Sequence, residues 1–382
     1  MQQSVYADYN STYPCSESHL DDLHELYRKL QGNPSSVHEF GRAAKKILEE
    51  SRSHIAKFFG AEKQTIFFTS GATEANNLVV QGLMHQDARS SKDSCKILIS
   101  SGEHSSIVQP CERLEQLGYC RLFKVALKKT GLIDENDLFN KLDERTKLVS
   151  LIYAHNETGC INPIPSLVEK INELCPQAHI HVDGVQAIGK MDTSWVHKSS
   201  LHSMSASAHK IGGLKGVGCL YLKSNTFLEP LIYGGGQEKK LRSGTENMPG
   251  IISFGLRAKE IMSSPSWNKK AEIVRDMFLV KLKKIPGVVI HSEGAPVLSN
   301  TVNFHIEEIS GDVMMLQFDL ANIAASNGSA CSSGEGIPSS VLLAMGYSEW
   351  VASNSIRLSF GAGSTADDVE RIISVIKQVQ SS

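Results

Sequence analysis

The sequence predicts an α/β protein, with a large domain built on a mostly parallel central sheet and a small α+β domain after it. Three observations carry this. Between Thr65 and Leu222, short apolar runs alternate with longer amphipathic stretches, the pattern of repeated strand–helix–strand units. Polar or glycine-rich turns follow nearly every apolar run, as at the open edge of a parallel sheet. The last third breaks the alternation, with a long helical pattern and then short strands mixed with helices.

The chain has 382 residues, of which 41% are hydrophobic and 21% charged, enough for a sizeable core and two domains. A formal net charge of -2 gives no electrostatic reason to expect nucleic acid or an acidic membrane as a partner. The opening residues, Met1 to Asp8, have neither the basic segment nor the apolar core of a secretory signal. No apolar stretch is long enough to span a bilayer. A soluble, cytoplasmic protein is therefore expected. Its eight cysteines include no C-x-x-C pair, so most are expected to be small buried hydrophobes.

Taken in order, Val5 to Pro14 is an extended segment and Gly32-Asn-Pro-Ser-Ser36 a turn. Glu39 to Phe59 is an amphipathic helix with Phe40, Ala44, Ile47, Leu48, Ile55 and Phe58 on its apolar stripe. Thr65 to Thr69 is a strand. Ser70-Gly-Ala-Thr73 then turns into a helix running to Leu83, an arrangement that suits an anion but equally an ordinary capped helix. Lys96 to Ser100 is a strand, and a helix runs from just after His104 to about Leu117. Arg121 to Val125, Leu148 to Tyr153 and His179 to Asp183 are further strands, with helices at Asp134 to Leu142 and Ile164 to Cys175. Leu231 to Asn247 is polar and glycine-rich, a mobile or interface loop. Helical pattern spans Ile251 to Val280 with a break near Pro265. Strands follow at Pro286 to Ile290 and Asn300 to Ile306, with helices at Asp312–Leu320, Ser339–Met345 and Asp367–Val379.

The stretch Ser203 to Gly216 carries Lys210 after small residues and before a glycine turn, and the apolar run Val217 to Leu222 follows. Such surroundings desolvate an amine, which lowers its proton affinity and makes it a nucleophile. Taken alone, the stretch also suits an exposed lysine in a polar turn. Five other polar groups follow strands: the Ser70–Thr73 turn, His104, Asn156, Asp183 and Gln186. In an open parallel sheet they converge on one edge, near Lys210.

These motifs resemble the cysteine desulfurases, pyridoxal-phosphate enzymes of the class V aminotransferase group. The matching pieces are Gly32–Ser36, Phe67–Asn77, Glu103-His104, His181–Asp183 with Gln186, Ala208-His-Lys210, Gly234–Glu238, Arg242–Asn247, Gly328-Ser-Ala-Cys331 and Ser355–Ser359. They run in family order from end to end. The resemblance implies fold type I of the pyridoxal-phosphate enzymes, with a large domain over residues 15–254 and a small one over 255–382 joined by 1–14. It implies that Lys210 carries the cofactor and that Asp183 pairs with its ring nitrogen. His104 would stack on the ring, while Asn156 and Gln186 would contact its phenolate oxygen side. Thr73, with Gly71 and Ala72 of the same turn, Ser207 and His209 would bind the phosphate, and Thr245 would reach across from the second subunit of a homodimer. Arg357, assisted by Asn33 and Asn156, would hold the substrate carboxylate, a task that suits a guanidinium. Lys210, His104 and Cys331 would be catalytic. Cys331 lies in a small, polar stretch from Ser326 to Gly336, which by itself also suits an unreactive surface thiol. The implied reaction takes L-cysteine to L-alanine, leaves a persulfide on Cys331 and passes it to an acceptor protein for iron–sulfur clusters or thio-modification. No metal is implied. A selenocysteine lyase or a class V transaminase without a cysteine nucleophile shares most of these residues.

Three features depart from the family pattern. The opening segment reads Asp8-Tyr-Asn-Ser-Thr-Tyr-Pro14, where small residues and paired threonines are usual. Gly213-Leu214 replaces the usual Gly-Pro after the lysine. The chain ends at Ser382, soon after its last helix, without the longer tail of some members.

Overall fold

Strands that are apolar at every position need a sheet covered on both faces. The computed structural model, which describes residues 4–84, 95–264, 266–327 and 337–381, has this arrangement. In chain order the first part comprises β1 (Val5–Tyr6), α1 (Glu17–Arg28), α2 (Glu39–Phe58), β2 (Ile66–Thr69), α3 (Ala72–Met84), β3 (Lys96–Ser100), α4 (Ser105–Gln116), β4 (Arg121–Val125), α5 (Glu135–Asn140), β5 (Thr146–Ile152), α6 (Ile164–Leu174), β6 (His179–Asp183), β7 (Ser203–Ser207), β8 (Gly218–Leu222) and α7 (Met248–Ser263). The second part comprises α8 (Lys269–Leu282), β9 (Val288–Ile290), β10 (Thr301–Ile306), α9 (Gly311–Leu320), β11 (Ile323–Ala324), β12 (Ser326–Asn327), α10 (Ser340–Ala344), α11 (Glu349–Asn354), β13 (Ile356–Ser359) and α12 (Ala366–Gln380).

Seven strands form the large sheet in the order β2-β8-β7-β6-β5-β3-β4. All neighbours are parallel except β8, which runs antiparallel to both β2 and β7. Successive side chains point to opposite faces. Phe68, Leu98 and Val149 therefore enter one core with α2, α6 and α7, while Phe67, Ile97, Ile99 and Leu148 enter a second core with α3 and α4. A second sheet, β12-β13-β10-β9, is antiparallel throughout. Its apolar face, Val302, Phe304, Ile356 and Leu358, packs on α8, α9 and α12 and takes in Val5 and Ala7 from the start of the chain. The opposite face carries Thr301, Asn303, Arg357 and Ser359, all buried. β1 pairs parallel with β11, Val5 to Ile323.

The expected strands and helices appear within a few residues of their expected bounds. Several elements were not anticipated: α1, α11, β12, β13 and the β1–β11 pair. Phe40 was expected on the buried stripe of α2 but is exposed, being in the helix's first turn. The expected break near Pro265 separates α7 from α8, although Pro265 itself lies outside the described residues. So do Cys331 and its Gly328–Cys331 motif.

Two ion pairs help tie down the Leu231–Asn247 loop. Glu238 is buried, and both its oxygens accept from the Arg52 guanidinium at 2.7 Å, with the Phe68 N–H adding a third bond at 2.8 Å. Arg242 donates to Glu74 at 2.9 Å. Removing one partner of a buried ion pair strands the other charge without solvent. Arg52→Met is expected to lower stability by about 3–5 kcal/mol, read as a lower chemical-denaturation midpoint. Lys46→Met, on the exposed face of the same helix, should be close to neutral.

Candidate functional site

One cavity of about 550 Å³ opens at the carboxyl ends of β5, β6 and β7. Its walls bring together Gly71, Ala72, Thr73, His104, Asn156, Asp183, Gln186, Ser207, His209, Lys210 and Arg357. Eleven of the expected site residues thus meet in one place. Three do not. Asn33 is exposed, and its Oδ1 accepts from the Ser35 N–H at 2.9 Å. Thr245 is exposed and off the cavity wall. Cys331 lies outside the described residues.

The turn before α3 reaches the cavity because Gly71 and Gly218 touch: a Cβ on Gly218 would stand 2.7 Å from the Gly71 backbone. Beside it, Lys210 ends the single turn after β7. Its Nζ donates to the backbone oxygens of Asn10 and Ser11, at 2.9 and 2.8 Å. Gly212, two residues on, has φ +92°, a left-handed conformation that favours glycine and lets the chain turn back towards β8.

Asp183 ends β6 and is buried. Its Oδ1 accepts from the Val185 N–H at 3.0 Å and its Oδ2 from Asn76 Nδ2 at 2.9 Å. The Asn76 amide is thereby oriented, since its nitrogen faces a group that only accepts. Its Oδ1 accepts from His181 Nε2 at 3.0 Å, so His181 Nδ1 accepts from Ser203 Oγ at 2.8 Å. Ser203 Oγ in turn accepts from His179 Nε2 at 2.7 Å. Every hydrogen in this chain points towards the carboxylate. Burial pushes the His181 imidazole down to about 3, so the ring is neutral and keeps this one tautomer.

His104 is the N-cap of α4, and its Nδ1 accepts from the Ser106 N–H at 3.1 Å. His209 faces Thr12 Oγ1 at 3.1 Å, and burial, with Lys210 and Lys215 nearby, pushes its imidazole down to about 4. Gln186 Nε2 donates to the Asn10 carbonyl at 2.9 Å.

Arg357 enters from the second sheet and is only 2% exposed. Its Nη2 donates to Asp8 Oδ1 at 2.5 Å and to Ser326 Oγ at 2.9 Å, and its Nη1 donates to the Asn156 carbonyl at 3.0 Å. Its Nε is buried with no hydrogen-bond partner among the described residues. The cavity wall also carries Lys210 and Lys215 against the single carboxylate of Asp183. Such a surplus of cationic groups suits a ligand with more than one negative group.

Sequence reasoning did not single out Asp8, Asn10, Thr12, Asn76 or Glu157. The first three lie in the opening segment, whose departure from the family pattern was the available signal. Glu157 is buried beside the site, and its Oε2 accepts from Ser339 Oγ at 2.6 Å. Among the described residues, no cluster of three or more metal-ligating side chains occurs, and no helix is long and apolar enough to cross a membrane.

The aminotransferase class-V family model matches residues 5–372. The chain is 35% identical to the cysteine desulfurase IscS of Dictyoglomus turgidum, over 99% of this chain and 95% of that protein. Among solved structures, a NifS-like protein superposes with a TM-score of 0.91 at 30% identity, over 99% of this chain and all of the other. A structure of SspA in complex with cysteine gives a TM-score of 0.80 at 28% identity, over 94% of this chain and 99% of that one.

Burial pushes the Glu157 carboxyl up to about 7, above the 4.5 of a free glutamate. The folded chain therefore holds this proton more tightly, and the associated stability is lost as pH rises from about 4.5 through about 7. Glu157→Gln cannot ionise. It should gain thermal stability relative to the natural chain between pH 5 and pH 8, and a constant difference across that range would contradict the assignment.

Proposed function

The chain belongs to the class V aminotransferase family and, within it, to the cysteine desulfurases, and from that premise we propose that it is a pyridoxal-phosphate-dependent cysteine desulfurase. It converts L-cysteine to L-alanine, leaves a persulfide on Cys331 and delivers that sulfur to an acceptor protein. The observation that carries this reading is the shared cavity of Lys210, Asp183, His104 and Arg357.

The residues fit the cofactor. An amine for its aldehyde, a carboxylate for its ring nitrogen and a set of donors for its phosphate line one space. Lys210 would hold it covalently, Asp183 would pair with the ring nitrogen, and Gly71, Ala72, Thr73, Ser207 and His209 would receive the phosphate. His104, Asn156 and Gln186 would hold the ring. When bound, the cofactor supplies an electron sink for the charge left at the substrate α-carbon, which weakens the Cβ–S bond. Arg357 binds the substrate carboxylate, helped by Asn156. Lys210 takes the α-proton. The Cys331 thiolate attacks the substrate sulfur, so an S–S bond forms as the Cβ–S bond breaks, and the carbon gains a proton to become the methyl group of alanine. The cationic wall around Arg357 and Lys210 supports the binding of a substrate carboxylate and a phosphate in one cavity.

The reading extends to a cytoplasmic homodimer in which Thr245, exposed here, serves the partner's site. It also extends to two domains, residues 15–254 and 255–382 with 1–14. The core that joins Val5 and Ala7 to Ala271, Val302 and Val369 supports grouping the start of the chain with its end.

The test is an absorbance spectrum of the purified protein, then assays of alanine and sulfide on adding L-cysteine. A near-visible band is expected, absent in Lys210→Ala, with alanine formation abolished in Cys331→Ala. Arg357→Lys should raise KM for L-cysteine roughly 10- to 100-fold, the loss of a charged hydrogen bond. A protein that stays colourless after addition of pyridoxal phosphate overturns the cofactor assignment, and alanine formation that survives Cys331→Ala overturns the nucleophile.

A further inference from the structure

Resting on the function proposed above, we infer that Lys190 is a positioning residue: with Asn10, it fixes the polarity of the Gln186 carboxamide so that the N–H end serves the cavity.

A carboxamide has a donor end and an acceptor end of nearly the same shape, and only its neighbours decide which faces where. Lys190 Nζ lies 2.6 Å from Gln186 Oε1 and 2.9 Å from Asn10 Oδ1. The Asn10 backbone carbonyl that meets the other end of this carboxamide only accepts, and the Lys190 amine, charged or neutral, has hydrogens to give to both oxygens. The atom of Gln186 that faces it is therefore oxygen, which turns Nε2 the other way. There Nε2 meets the Asn10 carbonyl at 2.9 Å, the same carbonyl that accepts from Lys210. A carboxamide nitrogen carries two hydrogens, and the second is the donor offered to the cavity that Gln186 lines.

Asn10 is itself locked. Its Oδ1 accepts from Lys190 and from Asn300 Nδ2 at 3.1 Å. Its Nδ2 donates to Thr301 Oγ1 at 2.8 Å and to the Asn156 carbonyl at 3.3 Å. A carbonyl accepts only, so this amide cannot reverse either. Two amides of fixed polarity thus stand between Lys190 and Lys210. The amine of Lys190 lies deep, where burial and the positive charges of Lys210 and Arg357 disfavour its protonated form. Asp183, His104, His209 and Lys215 are the other titratable groups on the same cavity wall.

The test is a double-mutant cycle on the protein loaded with pyridoxal phosphate, read as the pH midpoint of its absorbance band and as the affinity of the cofactor-free chain for pyridoxal phosphate. A lost donor to a cofactor oxygen anion favours the protonated form, so Gln186→Met should raise the midpoint by about one unit and weaken affinity roughly tenfold. Lys190→Met should do the same, and the double variant no more than either single one. Lys190→Gln keeps a donor without the charge and should resemble the natural chain. If Lys190→Met does not fold, Lys190→Ala, which shortens the partly exposed stem, takes its place. Additive shifts, an unshifted Lys190→Met, or a Lys190→Gln that shifts equally would overturn the inference while the band itself leaves the proposed function standing. A natural chain with no band fails on both.

Discussion

A guanidinium placed in the interior must be met by acceptors, and much of this site is arranged around that demand. Arg357 leaves the polar face of the second sheet and is met by a carboxylate, a hydroxyl and a carbonyl from three separate parts of the chain. Asp8 comes from the first ten residues, Ser326 from β12 and Asn156 from the loop after β5. None of these segments can shift without uncovering the charge. The same interaction ties the second sheet to the loop after β5 of the large sheet, because Arg357 in β13 donates to the Asn156 carbonyl. Among the described residues, Nε is the one nitrogen of the Arg357 guanidinium without a hydrogen-bond partner.

The segment from Asp8 to Thr12 has no regular structure of its own beyond isolated pairings, yet it contacts both sheets. The Asn10 N–H donates to Ser359 Oγ at 2.9 Å, and its carbonyl accepts from Lys210. Backbone carbonyls are fixed dipoles that neither titrate nor change rotamer. Two of them, from Asn10 and Ser11, accept from the Lys210 amine. By contrast Asp183 is held by an amide whose orientation is relayed through two histidines. Both arrangements tie reactive groups to partners with only one possible polarity.

Much of the large sheet was legible because its strands announce themselves. Runs such as Lys96–Ser100 and His179–Asp183 are short, apolar and bounded by turns. Their convergence at the carboxyl edge follows from parallel topology, which placed the Ser70–Thr73 turn, His104, Asn156, Asp183 and Gln186 near Lys210, whereas Ser207, His209 and Arg357 were named through the family resemblance. The fold type implied by the motifs agrees with the NifS-like neighbour. What stayed hidden depends on contacts between distant parts of the chain. β1 and β11 have two residues each, and no pattern two residues long predicts a partner. Asp8 and Asn10 read as polar residues in an extended segment, since nothing local tells that Arg357 or Lys190 will meet them. Glu238 looked like part of a mobile loop because its bidentate partner, Arg52, is 186 positions away. Helix α11 is too short to show a period.

The Asp8–Arg357 pair joins residues 349 positions apart, and this sets an order on biosynthesis. A ribosome adds about 5–20 residues per second, so the opening segment leaves the exit tunnel roughly 20–70 s before its partner exists. Through that interval the large sheet can assemble, since its strands end at Leu222, but Asp8 and Asn10 lack Arg357, Ser359 and Thr301. The cavity is therefore completed last. A nascent chain can bury its main core early and still hold no finished site, so capture of the cofactor belongs to the end of translation rather than to its middle.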